Sequence, residues 1–207
     1  GGPGRIGFLF PGQGSGRGTG GGALRRRFPE VAEVYEKAGL PAEGDMTATA
    51  VAQPRIVTGS LAGLRALSLL GIEAVVGLGH SLGELSALHW AGAVDEDALL
   101  RLAARRGRLS AEHGAPGAMA GIAAAPDAVT ALLGELPVVI AGYNGPAQTV
   151  VAGPPEAVEA VGRRAERAGL RWSRLPVSHA FHSPLVAPAA DAFAAALAEE
   201  GFGRLHR

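Results

Sequence analysis

Ser81 sits in Gly79-His80-Ser81-Leu82-Gly83, a G-x-S-x-G pentapeptide. That pattern can lift a serine hydroxyl out of a sharp strand-to-helix turn, where it acts as a nucleophile. The context fits: the apolar run Ala74 to Leu78 reads as a buried parallel strand, and a helix is expected from Leu82 to Ala93. The flanking glycines permit a strained turn, and the helix N-terminus points its amides where an oxyanion would form. With 32 glycines in the chain, however, the pentapeptide alone is weak. The same serine equally fits the N-cap of an ordinary βα turn.

A serine nucleophile needs a base. The six histidines are His80, His89, His113, His179, His182 and His206. His80 adjoins Ser81, and neighbours in a turn point apart. His89 and His113 fall on expected helices, and His206 is near the end. His179 and His182 share the segment Ser178-His179-Ala180-Phe181-His182-Ser183. His182 immediately precedes an expected helix, Pro184 to Glu200, with Ser183 as N-cap and Pro184 at its first position. The positive helix end disfavours imidazolium and keeps His182 a neutral base near pH 7. The alternative is a polar residue beside a cap.

A second glycine-rich turn, Phe10-Pro11-Gly12-Gln13-Gly14-Ser15-Gly16, follows the short buried strand expected over 5–10. A dinucleotide site would want its third glycine where Arg17 stands. The loop is better suited to offering backbone N–H groups to an oxyanion.

The elements that must hold these residues read as α/β. Helices are expected over 29–38, from Pro54 to Leu70 with Gly71 as stop, and from Glu96 to Glu112. Gly18 to Gly22 reads as a flexible loop. After Pro116 come a strand at Ala118 to Ala125, a helix at Asp127 to Glu135, and strands at Val138 to Tyr143 and Thr149 to Ala152. A helix at Glu156 to Ala168 and a strand at Leu170 to Val177 follow. That is βαββαβ, the ferredoxin-like order.

Composition narrows the field. The 207 residues carry 19 basic and 19 acidic side chains, and only Lys37 among the basic ones is not arginine. A balanced charge argues against nucleic-acid binding. The absence of cysteine excludes disulfides, thiolate metal sites and a cysteine nucleophile. No apolar run approaches the roughly 20 residues of a membrane span.

Taken together, the blocks FLFPGQGS (8–15), Gln53-Pro54, GHSLGE (79–84), the arginines of 105–108, GAMAGI (117–122), YNGPAQTVVAG (143–153) and VSHAFHSPLV (177–186) resemble the malonyl-CoA:acyl-carrier-protein acyltransferases. These include acyltransferase domains of polyketide and fatty acid synthases. The blocks come in the family's order and cover nearly the whole chain. The resemblance implies an α/β-hydrolase-like parallel-sheet core over 1–116 and 178–207, with an inserted ferredoxin-like subdomain over 117–177. It implies Ser81 as nucleophile, His182 as base and then acid, and the Gln13 and Leu82 amides as oxyanion hole. Arg106 would grip the malonyl carboxylate, with Gln53, His179, Phe181 and Asn144 lining the substrate. Phe181 of the HAFH block would crowd an α-methyl group, favouring malonyl. It implies a cytoplasmic enzyme with no bound cofactor or metal. Its partners would be malonyl-CoA, the phosphopantetheine of an acyl carrier protein, and possible neighbouring synthase domains; nucleic acid and membrane are not among them.

The chain departs from the family pattern at Gly16, in the short interval from Gln13 to Gln53, and at Ser110-Ala111. The resemblance also implies a further segment after Arg207 that completes the core and orients His182 through a backbone carbonyl. Two other functions fit the same residues. One is a serine hydrolase or thioesterase using Ser81 and His182. The other is a non-catalytic fragment docking a carrier protein through Arg163, Arg164, Arg167 or Arg171, a set that also reads as a solvated helix face.

Overall fold

The structure, a computed structural model, describes residues 4–15 and 18–206. Gly16 and Arg17, where the loop departs from family and dinucleotide patterns, lie outside them. Two compact units are formed: Gly1–Arg108 with Phe193–Arg207, and Leu109–Ala192. The second unit therefore holds 178–192, with His182, as well as 117–177.

The first unit is built on two parallel strands, β1 (Gly7–Phe10) and β2 (Val76–Gly79), in register Gly7↔Val76 to Phe10↔Gly79. Side chains alternate across the pair. Phe10 is buried and Phe8 packs edge-on to Trp90, whereas Leu9, Val76 and Leu78 are exposed, so the burial expected for both strands holds on one face only. The helices are α1 (Gly22–Arg27), α2 (Pro29–Ala38), α3 (Thr49–Leu69), α4 (Gly83–Trp90) and, up to Arg108, α5 (Glu96–His113). Their apolar faces meet in a core that includes Val57, Leu61, Leu82, Leu85, Leu99 and Leu102, with Phe193 and Leu197 against it.

Two expectations need correction here. The glycine cluster does not stay loop throughout, because α1 starts at Gly22; its Leu24-Arg-Arg-Arg sequence carries no apolar stripe to announce it. Helix α3 starts at Thr49, five residues before Pro54, which sits inside it. Proline forfeits one helical hydrogen bond there. Close packing favours the extra turn: a Cβ on Gly107 would lie 2.9 Å from the Thr49 carbonyl oxygen, so α5 rests directly on the first turn of α3. The far end closes as a Schellman cap. Gly71 N–H donates to the Ser68 carbonyl (3.0 Å) and Ile72 N–H to that of Leu67 (2.9 Å), with Gly71 left-handed.

The second unit carries β3 (Ala118–Ile122), α6 (Pro126–Leu133), β4 (Val139–Gly145), β5 (Gln148–Gly153), α7 (Pro155–Arg167) and β6 (Trp172–Arg174). The antiparallel sheet runs β4-β5-β3-β6, the ferredoxin-like βαββαβ topology. Valines and alanines of α6, α7 and β5 pack on one face, and Ala180 and Phe181 join Met119, Val150 and Ala152 on the other. The strand expected over 170–177 shortens to three residues, pairing only with β3.

The helix expected over 184–200 is broken. Pro184–Val186 is one 3-10 turn, and α8 runs Pro188–Ala198. Pro188 has no N–H for the Pro184 carbonyl; Ala187 bonds it instead at 3.2 Å, closing the tighter turn. Among the described residues, no helix is long and apolar enough to cross a membrane.

Candidate active site

Ser81 occupies the turn between β2 and α4 with φ 54°, a left-handed backbone that non-glycine residues rarely adopt. The turn is tied down on both sides. His80 N–H donates to the Phe10 carbonyl at 2.9 Å, Gly83 N–H to that of His80 at 2.9 Å, and Glu84 N–H to that of Ser81 at 3.0 Å. The outer glycines of the pentapeptide are present for space. A Cβ on Gly83 would lie 2.1 Å from the Phe10 carbonyl oxygen, and one on Gly79 2.4 Å from the Glu84 nitrogen. Gly12 of the first loop is equally constrained, at 2.8 Å from His80 Nδ1 and 3.5 Å from Ser81 Cβ. The loop that carries Gln13 is thereby held against the elbow. Among the described residues, no acceptor engages the backbone N–H of Gln13 or of Leu82. Unengaged amides are what an oxyanion hole requires.

Among the described residues, only one other non-glycine has positive φ: His182, at 58°. It lies in the second unit, just before the 3-10 turn. Ser183 does cap that turn, its Oγ accepting from Leu185 N–H at 3.2 Å and donating to the Ala180 carbonyl at 2.6 Å. Backbone strain of this kind persists only where surrounding structure enforces it. The chain two residues before His182 is closely packed: a Cβ on Gly117 would lie 2.6 Å from Ala180 Cβ. His179 is buried, with Nδ1 2.9 Å from Ser178 Oγ and its ring 5.9 Å from that of Phe181. Burial pulls its pKa below the ordinary histidine value, so it stays neutral near pH 7. Phe181 is itself buried in the unit's core. Asn144 is exposed near the β4–β5 turn.

The arginines of α5 divide sharply. Arg101 pairs with Glu200 and Arg105 with Glu199, both on the surface. Arg106 turns inward, and its Nη1 donates to Gln53 Oε1 at 2.9 Å. Gln53 is fully buried; its Nε2 donates to Gln13 Oε1 at 3.3 Å, and Gln13 Nε2 donates to Thr49 Oγ1 at 3.2 Å. Arg106 makes no ion pair among the described residues. Loss of water around the guanidinium lowers its pKa from the usual arginine value, with the Glu84 charge acting the opposite way. Such a guanidinium is suited to an incoming carboxylate. Thr49 and Glu84 were not anticipated. Thr49 stands one helical turn before Gln53, the only sequence signal that it shares a face with that residue.

Of the proposed docking arginines, Arg164 has a structural task. Its Nη1 donates to the Leu132 and Leu133 carbonyls at 2.7 and 2.8 Å, closing the C-terminus of α6.

Residues 7–203 match the acyl transferase domain family. The chain is 38% identical to mycoketide-CoA synthase of Mycobacterium tuberculosis, over 97% of this chain and 5% of that protein. It is 40% identical to the solved acyltransferase domain of an iterative polyketide synthase in enediyne biosynthesis (TM-score 0.77, 98% of this chain, 47% of that one). A malonyl-transacylase solved with its acyl-carrier protein, from a type II polyketide synthase, gives TM-score 0.88 at 32% identity, over 98% of this chain and 72% of that one. The chain thus spans only a small part of the mycoketide-CoA synthase and about half of the enediyne synthase chain. With the elbow, the inward arginine and the ferredoxin-like unit on the same polypeptide, this chain belongs to the acyl transferase domain family.

Proposed function

We propose that this chain carries malonyl groups from malonyl-CoA to the phosphopantetheine thiol of an acyl carrier protein, in the cytoplasm, as one part of a polyketide or fatty acid synthase. Ser81 Oγ attacks the thioester carbonyl while His182 takes its proton. The oxyanion is held by the Gln13 and Leu82 amides, and CoA leaves as a thiol with that proton. The carrier thiol then attacks the malonyl ester, giving its proton to His182, which returns it to Ser81. These steps call for no bound cofactor. Gln53 holds Arg106 on the malonyl carboxylate. In the same reading His179 and Phe181 shape the acyl pocket and Asn144 contributes a polar edge.

The observation that carries this reading is Arg106, a desolvated guanidinium bonded to a neutral amide and to no carboxylate among the described residues. A hydrolase acting on neutral esters has no use for that charge. The test is intact-mass detection of a malonyl adduct, abolished in Ser81→Ala and selectively weakened in Arg106→Ala relative to acetyl loading. Rapid release of free malonate without transfer to carrier protein would replace the transferase with a hydrolase.

A further inference from the structure

Arginine can only donate hydrogen bonds, and this fixes the sense of everything linked to Arg106. Gln53 must present Oε1 to Arg106, so its Nε2 faces away, toward Gln13 Oε1. Gln13 Nε2 is then left facing Thr49, which must accept, and Thr49 Oγ1 does so at 3.2 Å. Flipping either amide would set two donors face to face. The relay therefore runs one way, from Arg106 through Gln53 and Gln13 to the Thr49 hydroxyl. Thr49 is 2% exposed and Gln53 0%, so water has little access to substitute at that end. Thr49 is itself clamped, since Gly107, adjoining Arg106, lets α5 lie against its carbonyl.

We propose that Thr49 is a positioning residue: its hydroxyl accepts from Gln13 and so fixes both the side chain of Gln13 and, through Gln53, the Arg106 guanidinium. This rests on the acyltransfer reading for its consequence. It links the group that recognises the acyl carboxylate to the loop whose amide receives the oxyanion. In this role Thr49 acts through Gln13 and Gln53.

The test uses the full-length protein. Phenylglyoxal modification of Arg106 is followed by peptide mass spectrometry, with Arg105 and Arg108 as internal references. In Thr49→Val, which keeps the shape and loses the acceptor, Arg106 should react about fivefold faster or more, while the two reference arginines are unchanged. Thr49→Ser should stay within about twofold of wild type. Gln13→Met, which cuts the same relay in its less buried part, should reproduce the valine result even if Thr49→Val folds poorly. Alongside this, KM for malonyl-CoA should rise about tenfold in Thr49→Val, with KM for acetyl-CoA nearly unchanged. Unchanged Arg106 reactivity in both Thr49→Val and Gln13→Met overturns the relay, as does a serine variant as reactive as the valine one. If wild type takes no malonyl group on Ser81, the acyltransfer reading falls, and Arg106 reactivity still decides the relay.

Discussion

Arg106 Nη1 lies 2.9 Å from Gln53 Oε1, joining the middle of α5 to the second turn of α3 through a buried neutral amide. A neutral partner holds the guanidinium in place without cancelling its charge. A carboxylate there would have satisfied the arginine and left nothing for substrate. Arg106→Ala should reduce malonyl loading of Ser81 by about 100-fold, against less than about fivefold for acetyl loading, when single-turnover rates are compared. Arg106→Lys should recover little of the loss, because a lysine cannot hold a carboxylate with two parallel bonds. Equal losses for both acyl groups would contradict the carboxylate grip.

The elbow's glycines and those of α3 make opposite predictions. A methyl group on Gly83 would meet the Phe10 carbonyl at 2.1 Å, and backbone cannot yield as a side chain does. Gly83→Ala should destabilise by about 3 kcal/mol or more in urea unfolding. Gly59 and Gly63, also helical, have nothing within 4 Å of such a methyl group. Alanine at either should stabilise by about 0.5–1 kcal/mol.

His179 sets a pH dependence. Its folded pKa is below the unfolded value of about 6.5, so the unfolded chain binds the extra proton. The contribution is fully present above that value and is lost as pH falls toward the folded pKa. Melting temperature should drop between about pH 7 and 5 in wild type, and less steeply in His179→Gln. Glu199 and Glu200, whose pKa values are lowered by Arg105 and Arg101, act in a lower window, below the ordinary glutamate range. Double charge-removal variants Arg101→Gln/Arg105→Gln should therefore leave the pH 5–7 slope intact.

Arg164 separates a cap from a docking surface. Arg164→Ala should lower stability by about 1 kcal/mol through loss of two exposed carbonyl contacts. The rate of malonyl transfer to carrier protein should stay within about twofold of wild type. A large fall in the apparent affinity for carrier protein, at unchanged stability, would restore the docking role.

Much of this was legible in residue order. Helix α2 begins at Pro29 and ends before Gly39, signals strong enough to place both ends. The ferredoxin-like unit declared itself because each of its elements is bounded by Gly, Pro or Asn. What escaped depends on contacts distant in sequence. The first turn of α3 is supported by Gly107, more than fifty residues away, against the local advice of Pro54. The break at Pro188 needed the competition between a cap and a missing N–H. Arg105 and Arg106 are chemically identical neighbours; only the helix rotation between them sends one to Glu199 and the other to Gln53. The Gln13–Thr49 bond joins a loop to a helix start, and no local pattern encodes that pairing.

The left-handed backbone at Ser81 and His182 has a consequence for how this protein can be improved. Each such residue carries roughly 1 kcal/mol of strain that glycine would relieve, offset in part by glycine's greater freedom when unfolded. Ser81→Gly and His182→Gly are therefore among the substitutions a search for thermal robustness would be drawn to. A selection that rewards only endurance, blind to turnover, would tend to erase the two residues on which the proposed chemistry depends.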